Sequence, residues 1–159
     1  MHLSWNSLKI SIAGAKLSHL VLKDKIWDHG SMTEQAKAIF LKLQKAKNAG
    51  RIEGLEKYFT AACFERLKRE LDGLDKKNKT IIIKNLVIKE VAITEVHESK
   101  GVKPDSFVAL IKSSGIKLII DKAKDKELIE YSRHVHDFSG RWFFVRQGEW
   151  WVLDAIHEK

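Results

Sequence analysis

Few side chains of this chain stand where chemistry would need them. Asp154 lies in an aromatic stretch, RWFFVRQGEWWVLDAIHE over residues 141–158, and a carboxylate desolvated among rings is a setting for a general base. A two-residue turn at Gln147-Gly148 answers that reading. It pairs Phe144 with Trp151 and Trp142 with Leu153 on one face of a hairpin, and Val145 with Trp150 and Phe143 with Val152 on the other. The same register sets Arg141 opposite Asp154, so the two are read as a structural ion pair. Asp121 with Tyr131 is a second candidate dyad, without a third group to support it. His134 and His136, two apart, would share one side of a strand as metal ligands do, but no third ligand is evident. Cys63 is the single cysteine; it excludes an internal disulfide or a four-cysteine zinc site and carries no nucleophile signature, so it reads as a small core residue. The expectation is no catalytic residue, no metal and no cofactor.

Both hairpin faces are apolar, and an edge hairpin needs only one of them buried. The other must meet a ligand, a partner or another part of the chain. Phe40, Phe64, Trp142, Phe144, Trp151 and Leu153 are therefore the candidate lining of a pocket or groove. Gly140 and Ala155, opposite each other in that register, would leave room for an acyl chain or a peptide side chain. The aromatics could also stack bases, but little Lys or Arg lies between them, so nucleic acid is not expected.

The formal charge of +8 is uneven. Residues 1–80 hold 16 Lys/Arg against 9 Asp/Glu, whereas residues 81–159 hold 13 against 12. A basic N-terminal half fits an anionic surface, and Lys16, Lys23, Lys25, Lys42 and Lys45 are its candidate contacts. Lysines, Ser18 and His19 break up the apolar stretches of the first thirty residues, leaving neither a signal-peptide core nor a membrane span. The chain is expected in the cytoplasm or associated with an inner membrane, and it could equally be cut from a longer, membrane-anchored protein.

Helical spacing of Met32, Ala36, Ile39, Phe40, Leu43 and Ala46 predicts a helix over 32–49, opened by a Ser31/Glu34 capping box and stopped by Gly50. Residues 52–74 continue helical, split by an N-cap at Thr60, so that three helices are expected between residues 32 and 74. Thr80–Val96 reads as a strand whose alternation slips near Lys89-Glu90, the mark of a bulge. Ser106–Lys112 and Ile116–Asp121 read as one strand kinked at Ser113-Ser114-Gly115, and the hairpin follows. Helices first and an antiparallel sheet second make an α+β layer architecture. Residues 1–30 form an N-terminal arm ahead of the domain, 31–159. Its apolar side chains predict a short extended piece leading into a helix, packed on the domain or on a second copy as a homodimer.

FLKLQKAKNAGRIEGLEKYFT, LVIKEVAI and WFFVRQGEWWVLDAI together resemble the C-terminal domain of the Tim44 family, the peripheral inner-membrane tether of the mitochondrial import motor, whose domain bacterial chains share. That resemblance implies the nuclear transport factor two-like, cystatin-like cone, with N-terminal helices on a curved antiparallel sheet around a pocket. It implies a protein-tethering or membrane-surface role, and one relative is a mitochondrial large-subunit ribosomal protein. The acidic residue that the family often carries two positions before the tryptophan matching Trp142 is Gly140 here, so any role of that carboxylate is absent. The expected function is a noncatalytic domain that binds an apolar ligand, lipid or fatty-acyl group, or a protein segment, at an anionic membrane surface in protein translocation or membrane assembly. The alternatives are an isomerase or hydrolase on the same fold, and a ribosome- or nucleic-acid-binding module.

Overall fold

The structure, a computed structural model, describes residues 4–123, 126–128 and 134–158. The sequence opens with a 19-residue helix, α1 (Trp5–Lys23), capped by the Ser4 hydroxyl on the Ser7 amide. The expected extended start to the arm is thus helix from Trp5 onward. Ala13, Leu17 and Leu20, at helical spacing, are its buried face. A 3-10 turn, Lys25–Trp27, then delivers Ile26 and Trp27 into the core. α2 (His29–Ala49) begins before the predicted Ser31 cap: the Asp28 carboxylate accepts from Ser31 N at 2.9 Å and supplies the cap instead. An aspartate is a strong N-cap, and its charge also suits the positive end of the helix dipole. Gly50 ends α2 in the left-handed region, φ 76°, and Thr60 caps α3 (Ala61–Lys76) through Cys63 N at 3.3 Å. Between them the expected first piece of helix is only a 3-10 turn, Glu56–Tyr58.

The strands are β1 (Lys79–His97), β2 (Ser106–Asp121), β3 (Lys126–Leu128), β4 (His136–Gln147) and β5 (Trp150–Glu158), in the order β1-β2-β4-β5, with β3 beside the end of β2. The pairings between these strands are antiparallel. β1 shifts register between Lys84 and Val87, Ile88 and Glu90, and Ile93 and Glu95. The middle shift is the slip expected at Lys89-Glu90, and each adds local bend and twist. α1, α2 and α3 bury their apolar stripes with Phe107, Ala109, Ile111, Trp142, Phe144, Trp151 and Leu153 of the sheet in one core cluster. Burying a side chain of this size contributes roughly 1.5–3 kcal/mol, and the arm alone supplies Leu17, Leu20, Ile26 and Trp27 to that cluster.

The hairpin differs from its expected register. Its turn residues are Gly148-Glu149, with Gln147 opposite Trp150 and Arg146 opposite Trp151. Gly148 has φ 63°, and a two-residue turn that takes glycine at its first central position puts the turn one residue later than the Gln147-Gly148 reading. One residue at the turn moves the pairing by two, which keeps each side chain on its face but changes its neighbour. A second change follows at Asp154, the extra residue between the pairs Phe144↔Leu153 and Phe143↔Ala155.

Candidate functional site

Arg141 and Asp154, expected as cross-strand partners, are therefore apart in register. Arg141 stands opposite His157, and its guanidinium lies over the Phe143 ring at 5.6 Å. Asp154 serves α3 instead: its Oδ1 accepts from the Thr60 hydroxyl at 2.9 Å, and its backbone carbonyl accepts from the Arg66 guanidinium. Thr60 N also donates to Leu153 O at 2.9 Å. The bulge exists where the start of α3 docks on β5, so the carboxylate is committed to a helix cap.

The other candidate chemistry is also dispersed. Asp121 accepts from Ala123 N at 3.0 Å, while Tyr131 lies outside the described residues. His136 opens β4, but His134 precedes the strand, so strand alternation does not set the two imidazoles side by side. Burial pushes the Cys63 thiol up to about 11, against a smaller opposing influence of Arg66; a thiol so protonated is a poor nucleophile at neutral pH.

A cavity of about 190 Å³ lies between α2, α3 and the helix-covered face of the sheet. Phe40 and Leu43 of α2 and Leu71 and Leu74 of α3 form its helical walls, and Ile81, Ile83, Ile111, Gly140 and Trp142 come from the sheet. Lys47, Glu70, Lys117 and Glu158 also line it, two charges of each sign. Asn48 fastens one wall to the β1 edge: its side-chain amide accepts from Ile83 N at 3.0 Å and donates to Ile83 O at 3.2 Å, as a neighbouring strand would. A polar residue in the last turn of a helix is the only sequence signal for that clamp.

Of the six residues expected to line a pocket, Phe40 and Trp142 do, with ring centroids 5.0 Å apart. The other four pack elsewhere. Phe144 stacks on Phe107 at 4.8 Å. Trp151 meets Trp27 edge-on at 5.1 Å and Phe107 at 4.8 Å, and its Nε1 donates to Ile26 O at 3.1 Å. Leu153 is fully buried, and Phe64 is half-buried beside Phe59 at 6.5 Å. For Trp151 the physical reason is the arm, whose 3-10 turn brings Ile26 and Trp27 against it; Leu153 and Phe64 lie instead beside Phe59, Leu153 through the bridge it forms with that residue. Gly140 faces Glu158 rather than Ala155.

The five lysines proposed for an anionic surface are spread over α1, the first 3-10 turn and α2. Lys23, Lys25 and Lys45 are exposed, Lys42 Nζ sits 5.0 Å over the Tyr58 ring, and Lys16 Nζ donates to Val96 O at 3.0 Å. α1 carries an outward apolar stripe of Trp5, Leu8, Ile12 and Leu22, the last 83% exposed. Trp27, by contrast, is buried. A second cavity of about 200 Å³ lies between α1 and the end of β1, lined by Lys9, Ile12, Lys16 and Val96 among others. No helix among the described residues is long and apolar enough to cross a membrane.

An unforeseen cluster closes the arm onto the sheet. Arg146 donates to Asp24 Oδ2 at 2.7 Å and Asp105 Oδ2 at 3.1 Å, joining the end of α1, the β1–β2 loop and β4. The Arg146 hydrogen bond, then that of Ile26 N, holds the Asp24 carboxyl below its ordinary value.

A comparison with curated proteins gives no match. Among solved structures, the intermembrane space region of the chloroplast protein ARC6 is similar, with TM-score 0.54 and 14% identity over 79% of this chain and 95% of that one. At that identity the likeness carries the fold alone. The family model of the Tim44-like domain matches residues 13–158, from within α1 to the last residue of β5. The helix-on-sheet architecture, the shared fold and this match over nearly the whole chain mean that the protein belongs to the Tim44-like domain family.

Proposed function

We infer that this domain is a noncatalytic binding module, whose cavity between α2, α3 and the sheet receives an apolar ligand or an apolar protein segment. The single observation that carries the reading is that cavity: concave, with walls of Phe, Leu, Ile and Trp side chains and with polar and charged residues also in its lining, a combination found in small-ligand sites. The commitment of Asp154 to the α3 cap supports binding over turnover. Membership of the Tim44-like family supports a role in protein translocation or membrane assembly. The outward stripe of α1, with Lys23 and Lys25 nearby, supports placement at an anionic membrane surface, where each basic side chain adds about 1 kcal/mol.

Two measurements test the reading. Leu74 is half-buried at the cavity wall, so Leu74→Trp should fill the space and abolish enhancement of an apolar fluorophore, anilinonaphthalene sulfonate, while leaving the unfolding midpoint near its original value. Equal dye binding by a folded Leu74→Trp protein would refute the cavity as the site. Flotation with cardiolipin vesicles should exceed flotation with neutral vesicles and fall in Leu22→Glu; recovery independent of lipid charge would remove the surface role.

A further inference from the structure

Two polar groups in the cavity wall have no hydrogen bond to the described residues and are open to the cavity instead. Trp142 is 6% exposed, and its indole Nε1–H, which can only donate, meets no acceptor among the described residues. Ser113 is 3% exposed on β2, and its hydroxyl likewise has no side-chain hydrogen bond among them. Trp151 shows the other outcome, its Nε1 satisfied by Ile26 O. Among the described residues no side-chain nitrogen or oxygen sealed from solvent lacks a partner, so both groups open onto the cavity, where water reaches them; a ligand that displaces that water with an acceptor of its own keeps the hydrogen bonds that a purely apolar ligand forfeits.

The sheet register places the pair together. Ala109 faces Trp142, Ile111 faces Gly140 and Ser113 faces Phe138; alternate residues share a face, so Trp142, Gly140, Ile111 and Ser113 belong to one patch of the cavity wall. Gly140 matters for what it lacks. Its φ is not among the positive values that would call for glycine, yet a Cβ there would lie 3.3 Å from Trp142 Nε1. The missing side chain keeps the approach to the indole N–H open.

Resting on the binding reading above, we propose that the cavity recognises a neutral carbonyl at the end of a medium-length acyl chain, an acyl amide or ester, whose oxygen accepts from Trp142 Nε1 and the Ser113 hydroxyl. The chain lies against Phe40, Leu43, Leu71 and Ile111. Neutrality follows from the lining: Lys47 and Lys117 are offset by Glu70 and Glu158, and a free carboxylate beside the indole would be desolvated without a dedicated cation. Length follows from volume. A dry engineered cavity of about 150 Å³ takes up benzene, so about 190 Å³ holds a chain of roughly six to eight carbons by the same measure.

The test compares four probes with the same eight-carbon chain: octanamide, methyl octanoate, octanoate and octylamine, whose protonated amine offers donors and no acceptor. The readout is the Trp142 indole ¹H–¹⁵N cross-peak, assigned by its loss in Trp142→Phe, together with the dissociation constants. Octanamide and methyl octanoate should move that peak downfield and bind at least threefold to tenfold tighter than octylamine, the range one hydrogen bond provides. Gly140→Ala and Ser113→Ala should each weaken octanamide by a similar factor and leave octylamine unchanged, so the proposal stays testable if Trp142→Phe does not fold. Tightest binding by octanoate would shift recognition to a lysine and overturn the neutral carbonyl. Equal binding by all four probes, with an unmoved indole peak, would sink this proposal and leave the apolar cavity standing. Failure of every probe to bind would sink both.

Discussion

Trp151→Phe tests the seam between the arm and the sheet. The substitution keeps a ring in the core but removes the Nε1 donor from Ile26 O, a buried hydrogen bond of 3.1 Å. A buried carbonyl left unpaired costs about 1–3 kcal/mol. The smaller ring also loosens contacts with Trp27 at 5.1 Å and Phe107 at 4.8 Å, a further ~1–2 kcal/mol as a fraction of a full aromatic truncation. The sum, roughly 2–5 kcal/mol, is a large part of the 5–15 kcal/mol typical of a domain. At roughly 2–4 °C per kcal/mol for a chain of this size, the melting temperature should fall by about 4–20 °C. Urea unfolding followed by far-UV circular dichroism reads the loss directly, and an unchanged slope would show that the unfolded reference is the same. Trp150→Phe is the control: Trp150 is 68% exposed, so its change should stay within about 0.5 kcal/mol. In a double-mutant cycle with Trp27→Leu the two sites should couple, because they touch. A loss below about 1 kcal/mol, or additivity with Trp27→Leu, would refute the idea that the 3-10 turn is part of this core.

Thr60→Val should cost about 0.5–2 kcal/mol through loss of the α3 cap, whereas Asp154→Asn, which keeps an acceptor for the Thr60 hydroxyl, should cost less; equal losses in urea unfolding would contradict the capping role. Asp24 has a folded pKa below its ordinary 3.8 because of the Arg146 hydrogen bond, then Ile26 N, so its stabilisation is present above about pH 4 and is lost as pH falls through the folded value. The urea midpoint of Arg146→Gln should accordingly fall less steeply between pH 4 and 2 than that of the parent, and parallel profiles would contradict the assignment. Gly115→Ala places a Cβ 2.5 Å from Ile83 Cγ2 and 3.1 Å from Lys84 O, which should destabilise by about 1–3 kcal/mol. Gly14→Ala, in α1 with nothing within 4 Å, should instead stabilise by roughly 0.5–1 kcal/mol; matching signs for the two would undo the packing argument.

Local rules made much of the fold legible. The stripe from Met32 to Ala46, the Thr60 cap, the Gly50 stop and the slip at Lys89-Glu90 are each set by residues within a few positions of one another, and all four stand in the structure. The hairpin register was less legible because Gln147-Gly148 and Gly148-Glu149 are both acceptable turn pairs, and only the second puts glycine first. The Asp154 bulge had no local signal, since its cause, the hydroxyl of Thr60, is 94 residues away. The pocket was half legible for the same reason. Apolar type marked Phe40, Phe64, Trp142, Phe144, Trp151 and Leu153 as inward, but the choice between cavity wall and packed core depended on distant partners, as for Trp151, which Ile26 and Trp27 meet from 125 and 124 positions away. Arg146 with Asp24 and Asp105 was invisible to spacing because each member comes from a different element.

The central claim is that the space between α2, α3 and the sheet is a binding cavity for apolar groups. Intermolecular nuclear Overhauser effects from dissolved benzene to ¹³C-labelled methyl groups test it most directly. The account predicts cross-peaks to Leu43, Leu71, Leu74 and Ile111, which line that cavity, and their loss in Leu74→Trp. Cross-peaks confined to Leu8, Ile12 and Leu22 on the outward face of α1, or none at all at saturating benzene, would contradict it.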